Sequence, residues 1–262
     1  PGCRVFKVQT MSGRSLTVAD SESLLIWNQE TKEFTKMQSA LVKIGDCVPT
    51  TETLPSSTIV EYVDISEGSR FELDRLNGRF VGLHLANGHV DAKHFVENHY
   101  IKGDLMTKFL SIFVVDNKIP EVAFVAPDEF VIGLIEGYLT CDSSVSGQVD
   151  VYSVSKPFIT GFALLLNRFG IFSEIHETHL SIHGRWVSKL AQTLYGSNKH
   201  TNDTGKYETY NNMVIDPIVN IEILGVENYP KLYDVTVPST LNFITMNGVN
   251  IRDTSETGYI QR

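Results

Sequence analysis

The chain has 262 residues, enough for one large domain or two of medium size. Hydrophobic residues make up 42% of it, an ordinary share for a protein with a real core, and no run approaches the roughly 18 apolar residues of a membrane span. The formal charge of −9 weakens any reading in which the whole surface grips nucleic acid and leaves room for a local basic groove only.

In chain order, residues 5–10 are strand-like, Ser12-Gly13 reads as a turn, and residues 15–18 resume a β pattern that continues through 24–27. Residues 41–48, with Gly45-Asp46 inside, read as another strand edge and turn. From Phe71 onward the pattern changes. Phe80, Val81, Leu83, Leu85 and Ala86 predict a buried helix ending at Gly88. The run FVIGLIEGYL (residues 130–139), with Asp128-Glu129 at its start, predicts a second helix, and apolar residues at helical spacing predict a third over 158–169. Strand patterns follow at 148–152 and 174–182. Residues 196–212 are polar and read as a connector, after which 215–224 and 232–237 return to strands. The simplest organisation is a β domain assembled from both chain ends around an inserted α+β domain. No basic-then-apolar leader is evident, and Cys3, Cys47 and Cys141 are too few and scattered for a disulfide framework or a structural zinc site, which predicts a soluble protein of a reducing compartment.

Glycines inside an apolar helix allow a second helix to approach closely. Gly133 and Gly137 stand four apart on one face of the second helix, and Gly82, Ala86 and Gly88 offer a similar face on the first. Packed against each other about an internal pseudo-twofold, these helices would bring Asn87 and Asp142 to the axis. Carboxylates meeting there bind a divalent cation and direct a water at a phosphodiester. On spacing alone, two ordinary core helices with incidental glycines are the better reading.

FVGLHLANG (residues 80–88) and IEGYLTCDS (residues 135–143) resemble the two signature helices of LAGLIDADG homing endonucleases. VSKPFITGFALLLNRFGIFSEI (residues 154–175) resembles the stretch that follows the second helix, and NKIPEVAF (residues 117–124) the connector before it. The resemblance implies an endonuclease-like domain over residues 70–205 that cuts double-stranded DNA with Mg²⁺ held by Asp142 and Asn87, and with Lys156 near the active centre. Asn87 departs from the family's acidic residue. An amide oxygen coordinates a metal without charge, so Mg²⁺ affinity should fall.

VQTMSGRSLTVADSESLLI (residues 8–26) with LVKIGDCV (residues 41–48), and the tail YDVTVPSTLNFITMNGVNIRDT (residues 233–254), resemble the two halves of an intein of the Hint fold. This implies an all-β splicing domain from residues 1–55 and 213–253, with 254–262 left as C-extein. Thr254 would receive the acyl group. Asp253 stands where a terminal Asn should cyclise, and Arg252 where the family has a histidine, a role that an always-protonated guanidinium cannot fill. Ala19 and Glu22 replace the threonine and histidine that assist the first acyl shift. No front nucleophile can be assigned, since Pro1 opens the chain and Cys3 lies too near the first strand, so the sequence is expected to start inside the intein.

TSETGYIQR (residues 254–262) closely resembles a segment of the largest subunit of multisubunit RNA polymerases in eukaryotes and their large DNA viruses. The whole then implies an intein with an embedded endonuclease, its partners double-stranded DNA and flanking polymerase segments, not a membrane. It would act as a monomer in the nucleus or cytoplasm of a eukaryotic or virus-infected cell. The alternative is an inactive Hint/LAGLIDADG insertion serving as a structural or DNA-binding module. Histidines 84, 89, 94 and 99 recur at a spacing that fits no face of a helix or strand, and His176, His179 and His183 are expected on a sheet surface. Arg70, Arg75, Arg79, Arg168, Arg185, Lys189 and Lys199 are candidates for phosphate contacts.

Overall fold

The computed structural model describes residues 4–20, 23–54, 59–87, 103–140, 147–197, 205–225, 227, 229, 237 and 242–252. The architecture is mixed α and β. The chain divides into two compact units, one from residues 1–53 and 205–262 and the other from residues 54–204.

The two-ended unit is built of strands. Its main sheet joins β1 (Val5–Thr10), β2 (Ser15–Ala19), β5 (Cys47–Thr51), β11 (Thr209–Tyr210) and β12 (Met213–Leu224), in the order β11-β12-β1-β2 with β5 also on β12. The long strand β12 changes partner half-way. Its first part pairs with β5 and its second with β1, and Pro217, which has no N–H to give a ladder, sits at the change. Hairpins β3–β4 (Ser23–Asn28, Glu33–Gln38) and β13–β14 (Asn242–Ile244, Asn250–Arg252) complete the unit. Alternating residues turn Phe6, Val8, Leu16, Leu24, Ile26, Val48, Ile218 and Val249 into one core. The β pattern read as continuous from Ser15 to Trp27 is broken between β2 and β3, and most of the strand expected at 232–237 lies outside the described residues. The polar connector expected at 196–212 includes the short strand β11 and the buried Tyr207.

The second unit opens with the hairpin β6–β7 (Tyr62–Ser66, Ser69–Glu72) and continues with α1 (Arg75–Asn87), α2 (Gly103–Phe113), α3 (Asp128–Leu139), β8 (Gln148–Tyr152), α4 (Lys156–Arg168), β9 (Glu174–Ile175), β10 (His179–His183) and α5 (Arg185–Tyr195). Local chemistry sets the helix ends. The Asp74 carboxylate accepts from the Asn77 amide at 2.8 Å ahead of α1, and Ser155 Oγ accepts from the Phe158 amide at 3.3 Å ahead of α4. Left-handed Gly170 and Gly196 follow the ends of α4 and α5. The single strand expected over 174–182 is two strands, β9 and β10, turned back on each other. Phe71 stacks on Phe109 and Phe109 meets Phe130 edge-on, which joins β7, α2 and α3, while Tyr138 packs on Phe158 and Phe162 of α4.

Candidate functional site

Helices α1 and α3 lie backbone against backbone. A Cβ on Gly82 would stand 2.8 Å from the Tyr138 nitrogen and closer still to the Leu134 carbonyl oxygen. On Gly137 it would stand 3.0 Å from the Leu83 nitrogen and closer to the Arg79 oxygen. Gly78 meets the Phe130 carbonyl in the same way, and Gly133 meets that of Arg75. Only glycine permits such an approach. Partner numbers rise together along both helices, so the helices run parallel. A step of 55 positions carries Gly78 to Gly133 and Gly82 to Gly137, and it also carries their backbone partners Arg75 to Phe130 and Arg79 to Leu134. The packing therefore has an internal twofold character. Gly82, Gly133 and Gly137 are residues expected from the sequence, Gly78 was not among them, and Gly88 lies outside the described residues.

The same step carries Asn87 to Asp142. Asn87 is the last residue of α1, its side chain outside the described set, and Asp142, three residues beyond α3, is itself outside it. Lys156 opens α4 and is exposed. Among the described residues no group of three His, Cys, Asp or Glu side chains could hold a metal ion. Several arginines suggested for phosphate have other work. Arg75 reaches Glu129, Glu136 and the Leu194 carbonyl, Arg79 reaches Glu136, and Arg168 joins Asp128 at 2.7 Å and the Ala126 carbonyl at 2.7 Å.

Strands β8, β10 and β9 form an antiparallel sheet whose inner face is Val149, Val151, Leu180, Ile182 and Ile175. Its other face is polar, with Ser181 and Glu174 buried and Tyr152 exposed. Asp150, Ser181 and Glu174 form one cross-strand row, and Tyr152 with His179 and Gln148 with His183 flank it. Asp150 accepts from Ser181 Oγ at 2.6 Å and from Gln148 Nε2 at 2.8 Å. Burial would raise its carboxyl, but these bonds and the charges of His179 and His183 outweigh it and hold the group below the ordinary carboxylate range. The Asp150–Ser181 bond joins separate strands and only the alternation of residues 148–152 hinted at it.

Residues 129–211 match the LAGLIDADG-like domain. The chain is also 28% identical to the DNA-directed RNA polymerase subunit Rpo1C of the archaeon Methanocaldococcus jannaschii over 236 aligned positions, which cover 65% of this chain and 27% of that subunit. Shorter similarities reach probable translation initiation factors IF-2, 43% identical over 63 residues in Methanocaldococcus jannaschii and 38% over 74 in Thermococcus kodakarensis. These take in 23% and 26% of this chain and 6% of each factor. The chain thus spans about a quarter of the polymerase subunit and a small part of each factor.

The two-ended unit holds a second polar centre that the sequence did not announce. Arg14 and Asp216 are both buried. The Ser12 amide donates to Asp216 Oδ1 at 3.1 Å, Thr50 Oγ1 donates to Oδ2 at 3.1 Å, and Ser12 Oγ also donates to Oδ2. Arg14 Nη1 donates to Ser12 Oγ at 2.8 Å and Nε to the Asn247 carbonyl at 2.7 Å. Asn247 Nδ2 in turn donates to the Ser15 carbonyl at 2.7 Å. The β13–β14 turn is thereby pinned to the β1–β2 turn, and with it the strand that ends at Arg252. Arg252 is half-buried and in register with Asn242; Glu22, Asp253 and Thr254 lie outside the described residues, and Ala19 is buried in β2. Burial, then the charge of Asp216, pushes the Cys47 thiol up, which leaves little thiolate for nucleophilic chemistry.

Proposed function

We propose that this chain is an intein-type insertion of an RNA polymerase large subunit, carrying a homing-endonuclease domain that cuts double-stranded DNA. The observation that carries the reading is the parallel pair α1 and α3, whose four glycines repeat at a step of 55 positions and direct both C-terminal ends the same way. The LAGLIDADG-like match and the similarity to an archaeal polymerase subunit support it. Asn87, the last residue of α1, and Asp142, three positions after α3 in sequence, are the proposed Mg²⁺ ligands, with Lys156 a neighbouring cation. A metal bound there would polarise a water toward a phosphodiester. With one carboxylate and one amide the site would bind Mg²⁺ more weakly than two carboxylates.

The unit made of both chain ends is proposed as the splicing module, of Hint type, with its C-terminal junction between Asp253 and Thr254. Arg252 and Asp253 slow the junction chemistry, since neither supplies the imidazole or the amide nucleophile that release of the flank requires. Double-stranded cleavage of a plasmid bearing the uninterrupted polymerase gene, in Mg²⁺, tests the endonuclease. Cleavage by the natural chain and its loss in Asp142→Ala are expected; equal cleavage by both would remove Asp142 from the site.

A further inference from the structure

The hairpin β13–β14 has two strands of three residues each, and residues 250–252 are only half-buried. A two-stranded hairpin of that size does not hold its place in water unaided. Its position is set by bonds along residues 247–250. Arg14 Nε donates to the Asn247 carbonyl at 2.7 Å and Asn247 Nδ2 to the Ser15 carbonyl at 2.7 Å, which fixes the turn to β1–β2. Two contacts come from β5: the Thr51 amide donates to the Gly248 carbonyl at 2.8 Å, and Thr50 pairs with the fully buried Val249. Asn250 Nδ2 adds a bond to Thr51 Oγ1 at 2.9 Å. Arg252 ends the strand, and the proposed junction Asp253-Thr254 follows it in sequence.

Asp216 orders the groups that make these bonds. Its carboxylate accepts from the Ser12 amide and hydroxyl and from Thr50 Oγ1, and Ser12 Oγ accepts from Arg14 Nη1 at 2.8 Å. A chain of hydrogen bonds thus runs from β12 through the β1–β2 turn to the Asn247 carbonyl. Arg14 is 1% exposed and Asp216 not at all. Taking both groups out of water is costly, and apolar side chains of similar volume often serve stability as well or better; what such a network supplies here is one register. The register is that of the strand leading to the junction. We propose that Arg14, Asp216 and Asn247 are positioning residues of the C-terminal splice junction, acting through β14. The proposal rests on the splicing-module reading above. In the release step the side chain of residue 253 attacks its own main-chain carbonyl carbon and closes a ring, and the bond to Thr254 breaks as the Thr254 nitrogen takes up the proton that the attacking group sheds. A misplacement of about 1 Å at a reacting centre can cost on the order of a hundredfold in rate, so loss of the pins slows the junction without unfolding the unit.

The test follows release of the C-terminal flank by intact mass in a full-chain precursor that carries Arg252→His and Asp253→Asn, the parent for every comparison. Arg14→Met with Asp216→Asn removes both buried charges together, so neither is left uncompensated. This pair should keep the urea midpoint near that of the parent and slow release on the order of tenfold or more. Asn247→Ala frees the turn from β1–β2 while leaving both buried charges in place, and it should slow release as well. Combined with the pair it should cost less than the product of the two effects, because all three changes loosen one turn. Val5→Ala opens a cavity at the other end of β1, where Val5 is fully buried, and is the reference for stability alone: a lower midpoint with unchanged release. Should the pair fold poorly, Asn247→Ala decides. Release as fast as the parent's in Asn247→Ala and in the pair, or slowed in Val5→Ala in the same proportion to the midpoint, overturns this proposal and leaves the splicing reading standing. Absence of release from the parent precursor overturns the splicing reading and this proposal with it.

Discussion

Replacing Gly82 with alanine puts a methyl group where the α1–α3 contact has no room for one. The new Cβ would stand 2.8 Å from the Tyr138 nitrogen and nearer to the Leu134 oxygen, whereas comfortable heavy-atom contacts lie at about 3.5–4.0 Å. Both obstacles are helix backbone and neither can rotate aside, so the helices must part. Overpacking of this kind costs about 1–3 kcal/mol, and the better helix propensity of alanine returns about 0.8–1.0 kcal/mol. With both obstacles in the backbone the cost lies at the upper end of that range, so the net expectation for Gly82→Ala is a loss of about 2 kcal/mol, or a few degrees in Tm for a unit of this size. Gly161→Ala is the reference. A Cβ at Gly161 would also be tight, 3.0 Å from Ile119 Cγ1 and 3.2 Å from its Cβ, but the neighbours are side-chain atoms that need give only a few tenths of an ångström, so the strain should roughly offset the helix-propensity gain of about 0.8–1.0 kcal/mol and leave the change near zero. Adding Gly137→Ala to Gly82→Ala should cost less than the sum of the two, because one separation of the helices relieves both contacts. Urea unfolding followed by circular dichroism measures all four variants. A Gly82→Ala chain as stable as Gly161→Ala, or more stable than the parent, would refute the close-packed pair.

Asn87→Asp restores a second carboxylate to the proposed metal site. Cleavage should then reach half-maximum at a Mg²⁺ concentration lower by about tenfold, read from plasmid cleavage across a Mg²⁺ series. In the two-ended unit, burial raises the Asp216 carboxyl despite Arg14 and the bonds from Ser12 and Thr10. An acid with a raised folded pKa contributes stability that is complete below its unfolded value, near 3.9, and is lost as pH rises through the folded value. Asp216→Asn should therefore flatten the decline of the urea midpoint above about pH 4 relative to the parent chain. Arg252→His with Asp253→Asn supplies the imidazole and the cyclising amide that the natural junction lacks. Intact mass of a precursor with its C-terminal flank should show release of that flank, from Thr254 onward, at least about tenfold faster in the variant than in the parent.

The features legible in the sequence were those written locally. The apolar density of residues 130–139 marked α3, and the helical spacing of apolar residues over 158–169 marked α4. Gly133 and Gly137 announced their contact because they interrupt an apolar run, whereas Gly78 lies among the polar Arg75, Asn77 and Arg79 and carries no such signal. Helix α5 was missed although Trp186, Val187, Leu190, Ala191 and Leu194 share its buried face, since Ser188, Lys189 and Gln192 dilute the pattern. The Arg14–Asp216 centre was not legible at all. Its hydrogen bonds join residues as far apart as Ser12 and Asp216, and each residue alone looks like an ordinary turn or strand polar group. Arg75 and Arg79 were legible as cations only; the glutamates that engage them sit on α3, which the pairing of the helices brings alongside.

An endonuclease site on the pair α1 and α3 requires that residues 87 and 142 come together. Asn87→Cys with Asp142→Cys, in a full chain whose Cys3, Cys47 and Cys141 are replaced by serine, tests this without relying on activity. A disulfide needs Cα atoms within about 7 Å. Rapid quantitative cross-linking under mild oxidation, read by non-reducing electrophoresis and mass spectrometry, is the predicted result. A folded chain in which both thiols stay reduced while each reacts freely with a maleimide would contradict it.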